Sequence, residues 1–180
     1  MNEFKDKEYK IFDLFKNQWA LVTAGDIEKY NACTVSWGSF GTLWTRENNP
    51  DGSVVTVYIH PGRYTIDFMK ESDFFTVSFF PQEYRKALGY MGSHSGRNED
   101  KVLAAGLTPV AIDNFITFKE ANTTFLCRKV YQHQFAKEDI AQDVQDYYKS
   151  KPTVYPVNGN GEWEPHWVFV GEIKGVKEKK

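Results

Sequence analysis

Short apolar segments rich in β-branched and aromatic residues recur along most of the chain, with clusters of glycine, proline, asparagine and aspartate between them. Such segments are typical of β-strands when turn residues bound them on both sides. The clearest is residues 53–60 (SVVTVYIH), which follows the turn cluster at residues 48–52. The pattern predicts strands at residues 19–23, 31–44, 53–60, 74–80, 116–121, 123–135 and 166–173.

Helical signals are weaker and confined to short segments. Thr65 is a favourable N-cap for a helix over residues 65–71, and Asn98 can cap a helix that runs to residue 105, before Gly106. Further helices are predicted over residues 82–90 and 138–149. Because long helices do not alternate regularly with the strands, a doubly wound parallel sheet is disfavoured. A mainly β fold is favoured: an antiparallel barrel with three to four flanking helices.

Length and composition fit one domain. The chain has 180 residues, of which 41% are apolar, so it can bury a core of its own. We expect a single domain over residues 1–180, with a core of about 15–173 and a frayed tail over 174–180 (KGVKEKK). The aromatic content, 16%, fits either a packed β core or a surface on which a planar ring stacks.

Charge and cysteine usage exclude several classes of protein. A net charge of −2 gives no reason to expect nucleic-acid binding, and no apolar run is long enough to span a membrane. Residues 1–10 (MNEFKDKEYK) lack the apolar stretch of a signal peptide. Cys33 and Cys127 form no CxxC pair, and the four histidines show no metal-ligand spacing. These features predict a cytoplasmic protein without a metal.

One candidate ligand site lies where a predicted strand passes into a predicted helix, at residues 60–65 (HPGRYT). Arg63 can form two parallel hydrogen bonds to phosphate oxygens. Thr65 adds a hydroxyl, and the helix that it begins presents free N–H groups to an anion. Taken alone, these residues fit a surface arginine beside an ordinary capping threonine at least as well.

A second candidate site is the loop at residues 89–97 (GYMGSHSGR), with Lys101 a few residues beyond. Glycines allow backbone amides to approach a phosphate, and serines add donors. Neither a Walker motif nor a GxGxxG motif is present. A flexible loop followed by a helix cap explains the same residues equally well.

A third candidate is residues 31–41 (NACTVSWGSFG), where polar and aromatic residues share a strand with two glycines. Glycine within a strand permits the close approach of a flat ligand to the backbone. The alternative is a half-buried edge strand. No acid, base or nucleophile signature accompanies any of the three segments, so the catalytic residues stay unknown.

Together and in this order, the three segments resemble the flavin reductase-like family of FMN-binding split barrels. The resemblance covers about residues 15–173. The matching stretches are residues 31–38 (NACTVSWG), 61–65 (PGRYT), 75–79 (FTVSF), 95–101 (SGRNEDK), 106–109 (GLTP), 120–121 (EA), 127 (C) and 166–173 (HWVFVGEI). It implies a split, antiparallel, Greek-key-like β-barrel that usually forms a homodimer, with FMN near the subunit interface.

The resemblance also implies roles for individual residues. Those implied to hold the phosphate are Arg63, Thr65, Ser95 and Lys101. Those implied to line the ring and ribityl chain are Thr34, Ser36, Trp37 and Gly38, with Ser78, Phe79 and His166 nearby. The remaining candidates for cofactor binding are Asn31, Tyr64, Gly96 and Arg97. Where the family's V-R-P-x-R-Y-T stretch carries its first arginine, this chain has His60, so one positive neighbour of the phosphate is either missing or pH-dependent.

The function implied by the resemblance is that of an FMN-binding flavoprotein, an NAD(P)H-dependent flavin reductase in which FMN carries the hydride chemistry. The alternative is a non-catalytic FMN electron carrier, like a flavoredoxin, that serves a partner protein. A domain without a cofactor is a third hypothesis. The expected ligands are FMN and NADH or NADPH. The residues do not separate the reductase from the carrier.

Overall fold

The computed structural model describes residue 4 and residues 7–179; residues 1–3, 5–6 and 180 lie outside the described part of the chain. The described strands are β1 (Ala20–Gly25), β2 (Tyr30–Val35), β3 (Gly38–Thr42), β4 (Ser53–Ile59), β5 (Phe74–Phe79), β6 (Pro109–Ile112), β7 (Phe115–Phe118), β8 (Thr123–Gln134) and β9 (Trp167–Glu178). The α-helices are α1 (Thr65–Glu71), α2 (Arg85–Ser93), α3 (Lys101–Ala104) and α4 (Gln142–Lys149). None of the helices formed by these residues has the length and hydrophobicity that a membrane span requires.

Seven strands form one sheet in the order β2-β1-β5-β8-β9-β4-β3, and every neighbouring pair is antiparallel. The other two strands, β6 and β7, form a separate hairpin. The sheet is open, because its edge strands β2 and β3 do not pair with each other. The predicted mainly β, split-barrel fold is confirmed.

The two edge strands are consecutive in the chain, and this connection explains why the sheet curls. Only Ser36 and Trp37 separate Val35, at the end of β2, from Gly38, at the start of β3. Three Cα–Cα steps span at most about 11 Å. In a flat sheet, six strand spacings would place the two edges about 29 Å apart. The sheet must therefore curl until its edges meet at residues 36–37, which leaves a gap beside them.

The alternation of side chains along the strands supplies two hydrophobic clusters, one on each face of the sheet. In β1, Val22 packs inside the curl, whereas Leu21 packs outside, against α2 and the segment that follows it. The inner cluster is dominated by aromatic residues such as Phe75, Phe125 and Phe169, all at most 2% exposed. Both faces of β1 and β2 are therefore covered, which fixes α2 over the end of β2.

The C-terminal segment is a strand, so the prediction of a frayed tail over residues 174–180 was wrong for the described residues. β9 continues to Glu178, and Gly175 and Glu178 lie opposite Leu126 and Thr123 of the long strand β8. β8 offers a free ladder of N–H and C=O groups there, which a charged segment can satisfy as well as an apolar one. The core also begins before residue 15, because Phe4 is buried in the inner cluster.

The predicted helix ends also need correction. Asp100, rather than Asn98, caps α3 by accepting a hydrogen bond from the N–H of Leu103. Thr65 is the first residue of α1 and makes no side-chain cap. The helices predicted over 82–90 and 138–149 begin later, as α2 and α4, each after a short 3₁₀ turn. β6 was missed because it begins at a proline, which is tolerated at the first position of a strand.

Gly38 is required by packing at the start of β3. A Cβ atom there would lie 2.2 Å from the Cε1 atom of Phe15 in the inner cluster, whereas a Cβ atom at Gly41, on the same strand, would meet nothing within 4 Å. We expect Gly38→Ala to lower the free energy of unfolding by about 1–3 kcal/mol, the usual cost of overpacking a core. Gly41→Ala should change it by less than about 1 kcal/mol. Chemical denaturation of both variants measures the difference, and equal effects would show that Phe15 yields to the new methyl group.

Candidate functional site

The gap in the barrel contains two adjoining pockets. The histidine pocket has a volume of about 220 Å³, and its wall includes Trp37, His60, Tyr155 and His166. The glycine cleft has a volume of about 250 Å³ and lies between the end of β2 and α2; its lining includes Trp19, Leu88, Gly89, Gly92 and Ser93. Three residues line both spaces: Thr34, Ser36 and Arg63. Each space is smaller than the roughly 300–1,000 Å³ of most ligand sites, but the two together fall within that range.

Two buried or partly buried cations lie close to each other here: Arg63 lines both pockets, and Lys101 lines a further pocket with Asn31, Tyr64 and Gly96. Arg63 donates a hydrogen bond from Nη1 to the carbonyl of Gly92. Lys101 is 4% exposed, and its Nζ donates to the carbonyls of Met91 and His94, both at 3.2 Å. Within the described part of the chain, neither side chain forms an ion pair. Buried charges in proteins are normally paired, so this arrangement suits an anion.

The electrostatics of Lys101 agree with this interpretation. Burial lowers the pKa of Lys101, and the nearby guanidinium of Arg63 lowers it further, although the Cys33 thiol and Glu99 act in the opposite direction. The positive charges of the two side chains therefore repel each other. A bound dianion would remove that repulsion and favour the charged form of the lysine.

A buried polar group holds the loop that carries the second predicted motif. The Oγ1 atom of Thr65 donates to Oδ1 of Asn31 at 2.8 Å, and both side chains are buried. Residue 96 lies directly against this amide, because a Cβ atom on Gly96 would fall 2.1 Å from Nδ2 of Asn31. Only glycine permits that approach. The three predicted motifs thus meet in space, through Asn31, Thr65 and Gly96.

Both histidines of the histidine pocket are held neutral. Burial, followed by the charge of Arg63, lowers the pKa of His60 to about 4. Burial, with His60 and Arg63 as neighbours, lowers the pKa of His166 to about 3. His60 therefore does not titrate near neutrality, contrary to the alternative raised from the sequence. It is not a second positive charge for a phosphate at physiological pH.

Aromatic rings enclose the histidine pocket. The ring centroids of Trp37 and His166 are 4.3 Å apart, and that of Tyr155 lies 5.9 Å from His166. Tyr155 belongs to the irregular segment between α4 and β9, which Tyr148 and Trp163 hold in place through a stacked contact. No sequence pattern pointed to Tyr155, since the segment fits neither a strand nor a helix pattern.

Some predicted residues lie away from the pockets. Ser78 is fully buried, and its Oγ lies 3.0 Å from the Oγ1 of Thr124 on the neighbouring strand β8. Phe79 packs into the inner cluster against Phe15 and Phe125. Gly38 faces Phe15 of the same cluster. Ser78 and Phe79 are consecutive on β5 and face opposite sides of the sheet, and both sides are covered there, which the motif itself did not reveal.

Three further candidates lie at the loop rather than in the two pockets. Arg97 is ion-paired with Asp67 at 2.9 Å and its guanidinium lies over the ring of Tyr64, 4.5 Å from the ring centre. Its charge is therefore already neutralised. The Oγ atom of Ser95 accepts a hydrogen bond from the N–H of Arg97 at 3.3 Å, which shapes the turn.

Trp19 was not predicted as a site residue, yet it lines the glycine cleft in an unusual backbone conformation. Its φ angle is +66°, a region that bulky residues rarely adopt. The guanidinium of Arg85 covers its ring, with Cζ 3.0 Å from the ring centre. Among the described residues, no cluster of three or more His, Cys, Asp or Glu side chains is placed to hold a metal ion.

Comparison with known proteins gives the family of this chain. The model of the flavin reductase like domain matches residues 12–180, so the chain belongs to that family. A comparison with curated proteins found no match.

Similar solved structures agree in fold. A flavoredoxin from Methanosarcina acetivorans is 21% identical, with 91% of this chain and 69% of that one covered and a TM-score of 0.64. An FMN-binding protein from Thermus thermophilus with bound p-hydroxybenzaldehyde is 21% identical, with 89% and 71% covered and a TM-score of 0.64. Nitrilotriacetate monooxygenase component B from Bacillus cereus is 16% identical, with 90% and 69% covered and a TM-score of 0.64.

The low pKa values of the two pocket histidines predict a loss of stability in mild acid. In the unfolded chain each imidazole is protonated below its usual pKa of 6.5, whereas in the fold His60 and His166 stay neutral down to about 4 and about 3. Below pH 6.5 the unfolded chain therefore binds protons that the folded chain does not. The free energy of unfolding is highest above pH 6.5 and declines as the pH falls towards 4. We expect the two imidazoles to show NMR titration midpoints near those values, and the melting temperature to fall over the same interval. Midpoints near 6.5 for both would contradict the enclosed pocket.

Proposed function

We propose that this chain binds FMN and acts as an NAD(P)H-dependent oxidoreductase of the flavin reductase type. The observation that carries the proposal is the pair of cations, Arg63 and Lys101, whose side chains bond, among the described residues, only to main-chain carbonyls. Arg63 lines both adjoining pockets, and Lys101 lies near enough for the two charges to interact. FMN combines a dianionic phosphate with a planar ring, and this site combines unpaired positive charge with aromatic walls. The family, and neighbours described as flavoredoxin and FMN-binding protein, support the same ligand.

In this proposal the charged end of the site holds the phosphate. Arg63 and Lys101 supply charge-assisted hydrogen bonds, which are stronger than neutral ones. Asn31, which accepts a hydrogen bond from Thr65, lies directly against Gly96, and in this proposal the N–H groups of the loop at Ser95 and Gly96 add donors for the phosphate. Arg97 contributes less, because Asp67 already pairs with it.

The neutral end of the site suits the ring and the ribityl chain. Thr34 and Ser36 stand between the two pockets, and Trp37 and His166 supply aromatic faces. The hydroxyl of Thr34 donates to the carbonyl of Leu88 at 2.6 Å, so towards a ligand it can act as an acceptor. Bound FMN supplies the hydride and electron transfer chemistry. The protein holds the ligand, excludes water with Trp37 and Tyr155, and keeps both pocket imidazoles uncharged.

A homodimer in the cytoplasm remains part of the proposal. Exposed or half-exposed aromatic residues lie on β4 and at the end of β8, including the stacked pair formed by Tyr58 of β4 and Phe135, which directly follows β8, with ring centroids 5.7 Å apart. Tyr58 also lines the histidine pocket, so a second copy on this face would lie beside the ligand. Two free, buried cysteines support a reducing compartment.

The phosphate assignment predicts a selective loss of affinity. Arg63→Ala or Lys101→Met should weaken FMN binding by about 1.5–3 kcal/mol, the scale of a hydrogen bond to a charged group. Riboflavin has no phosphate, so its binding should change far less. Arg97→Ala is the matched control, because this arginine is exposed and already paired. Fluorescence titration of both ligands measures the effect, and equal losses for FMN and riboflavin would refute the assigned roles.

The reductase and the carrier differ in their reaction with nicotinamides. We expect the FMN-loaded protein to lose its flavin absorption band quickly when NADH or NADPH is added without oxygen. Neighbours described as flavoredoxin keep the carrier as the second candidate. A bound flavin band that persists in the presence of both nicotinamides would favour the carrier, and a protein that binds no FMN would overturn both.

A further inference from the structure

The histidine pocket contains a buried hydrogen-bond donor without a partner. His60 is 7% exposed, and its Nε2 atom is shielded from solvent and makes no hydrogen bond to any described residue. The other ring nitrogen, Nδ1, accepts a hydrogen bond from the N–H of Gly62 at 3.1 Å. A neutral imidazole has one donor and one acceptor. Because Nδ1 accepts, the hydrogen of the ring is on Nε2.

No neighbour of this donor in the described structure serves as its hydrogen-bond acceptor. The ring of His60 meets His166 edge to face, with centroids 5.2 Å apart, and the ring centroid of Tyr155 lies 6.1 Å away. Both are aromatic contacts. Buried N–H groups without partners are rare in folded proteins, so a partner from outside the described chain, a water or a ligand, is expected here.

The distribution of charge indicates which part of a ligand this donor would meet. Lys101 is not part of the wall of the histidine pocket, and Arg63 stands at the boundary with the glycine cleft. The other titratable groups of the pocket wall that show a shift are uncharged at neutral pH, since His60 and His166 have low pKa values and burial raises the pKa of Tyr155. A phosphate is favoured by charge, whereas a neutral ring with polar edges is favoured by neutral donors and aromatic walls.

We propose that His60 is a binding residue that donates its Nε2 hydrogen to a carbonyl oxygen on the uncharged ring of the ligand in the histidine pocket, after the ligand moves aside the neighbouring rings that shield this atom here. This inference rests on the proposed binding of FMN, whose ring bears such carbonyl groups. It gives His60 a role distinct from that of an arginine at the same place, which would add a positive charge for the phosphate. Recognition of the ring edge would then belong to His60, and recognition of the phosphate to Arg63 and Lys101.

Two matched substitutions separate the two nitrogens of His60. Asparagine places its amide where Nδ1 lies, so His60→Asn keeps an acceptor for Gly62 and loses the donor at Nε2. Glutamine reaches the position of Nε2, so His60→Gln keeps that donor and loses the contact with Gly62. The dissociation constants of FMN and riboflavin are measured for the wild type and for both variants, with thermal unfolding as the check that each variant folds.

We expect His60→Asn to weaken the binding of FMN and of riboflavin by the same factor, roughly 2- to 12-fold, which is the range of one neutral hydrogen bond. His60→Gln should bind both ligands within about 2-fold of the wild type. If His60 only holds the turn at Gly62, His60→Gln should bind both ligands more weakly than His60→Asn does, and this result would overturn the proposal. So would a loss for FMN alone, which places His60 at the phosphate. Wild-type protein that binds neither ligand would instead refute the proposed function.

Discussion

The two-residue connection between β2 and β3 is the constraint on which the rest of the structure depends. Because Ser36 and Trp37 join strands at opposite edges of a seven-stranded sheet, the sheet has to curl, yet the two edges do not pair. The same two residues then lie in the gap that curling leaves. The barrel and its ligand site are therefore consequences of one connection, and a longer loop at this point would remove the requirement for both.

A second constraint is the uneven distribution of charge around the gap. Arg63 and Lys101 bring positive charge that carbonyl groups hold in place without neutralising it. On the other side, enclosure by Trp37 and Tyr155 keeps His60 and His166 neutral. Arg63 lies at the boundary between the charged environment and the neutral one. Such a site is complementary to a molecule with an anionic end and an uncharged aromatic end.

The sequence motifs predicted most of the residues in the charged half of the site and fewer of those in the aromatic half. Arg63, Thr65 and Lys101 could be predicted because anion sites use few residue types, and helix starts and glycine loops mark where they occur. Ser78 and Phe79 share a motif with the family, but they lie on opposite faces of β5, and both faces are buried there. Tyr155 and Trp19 reach the pockets through an irregular segment and a strained backbone, for which no periodic pattern exists.

By itself, the sequence determined the strand-rich character of the chain, the approximate positions of most strands, and the residue types suited to an anion. These properties are local, since turn residues and side-chain alternation act over a few positions. Only the tertiary structure decided that the sheet curls at residues 36–37, that Lys174–Glu178 continue β9, and that His60 is neutral. Each of these depends on residues far apart in the chain: burial beside His166 sets the charge of His60, and pairing with β8 orders the C-terminal strand.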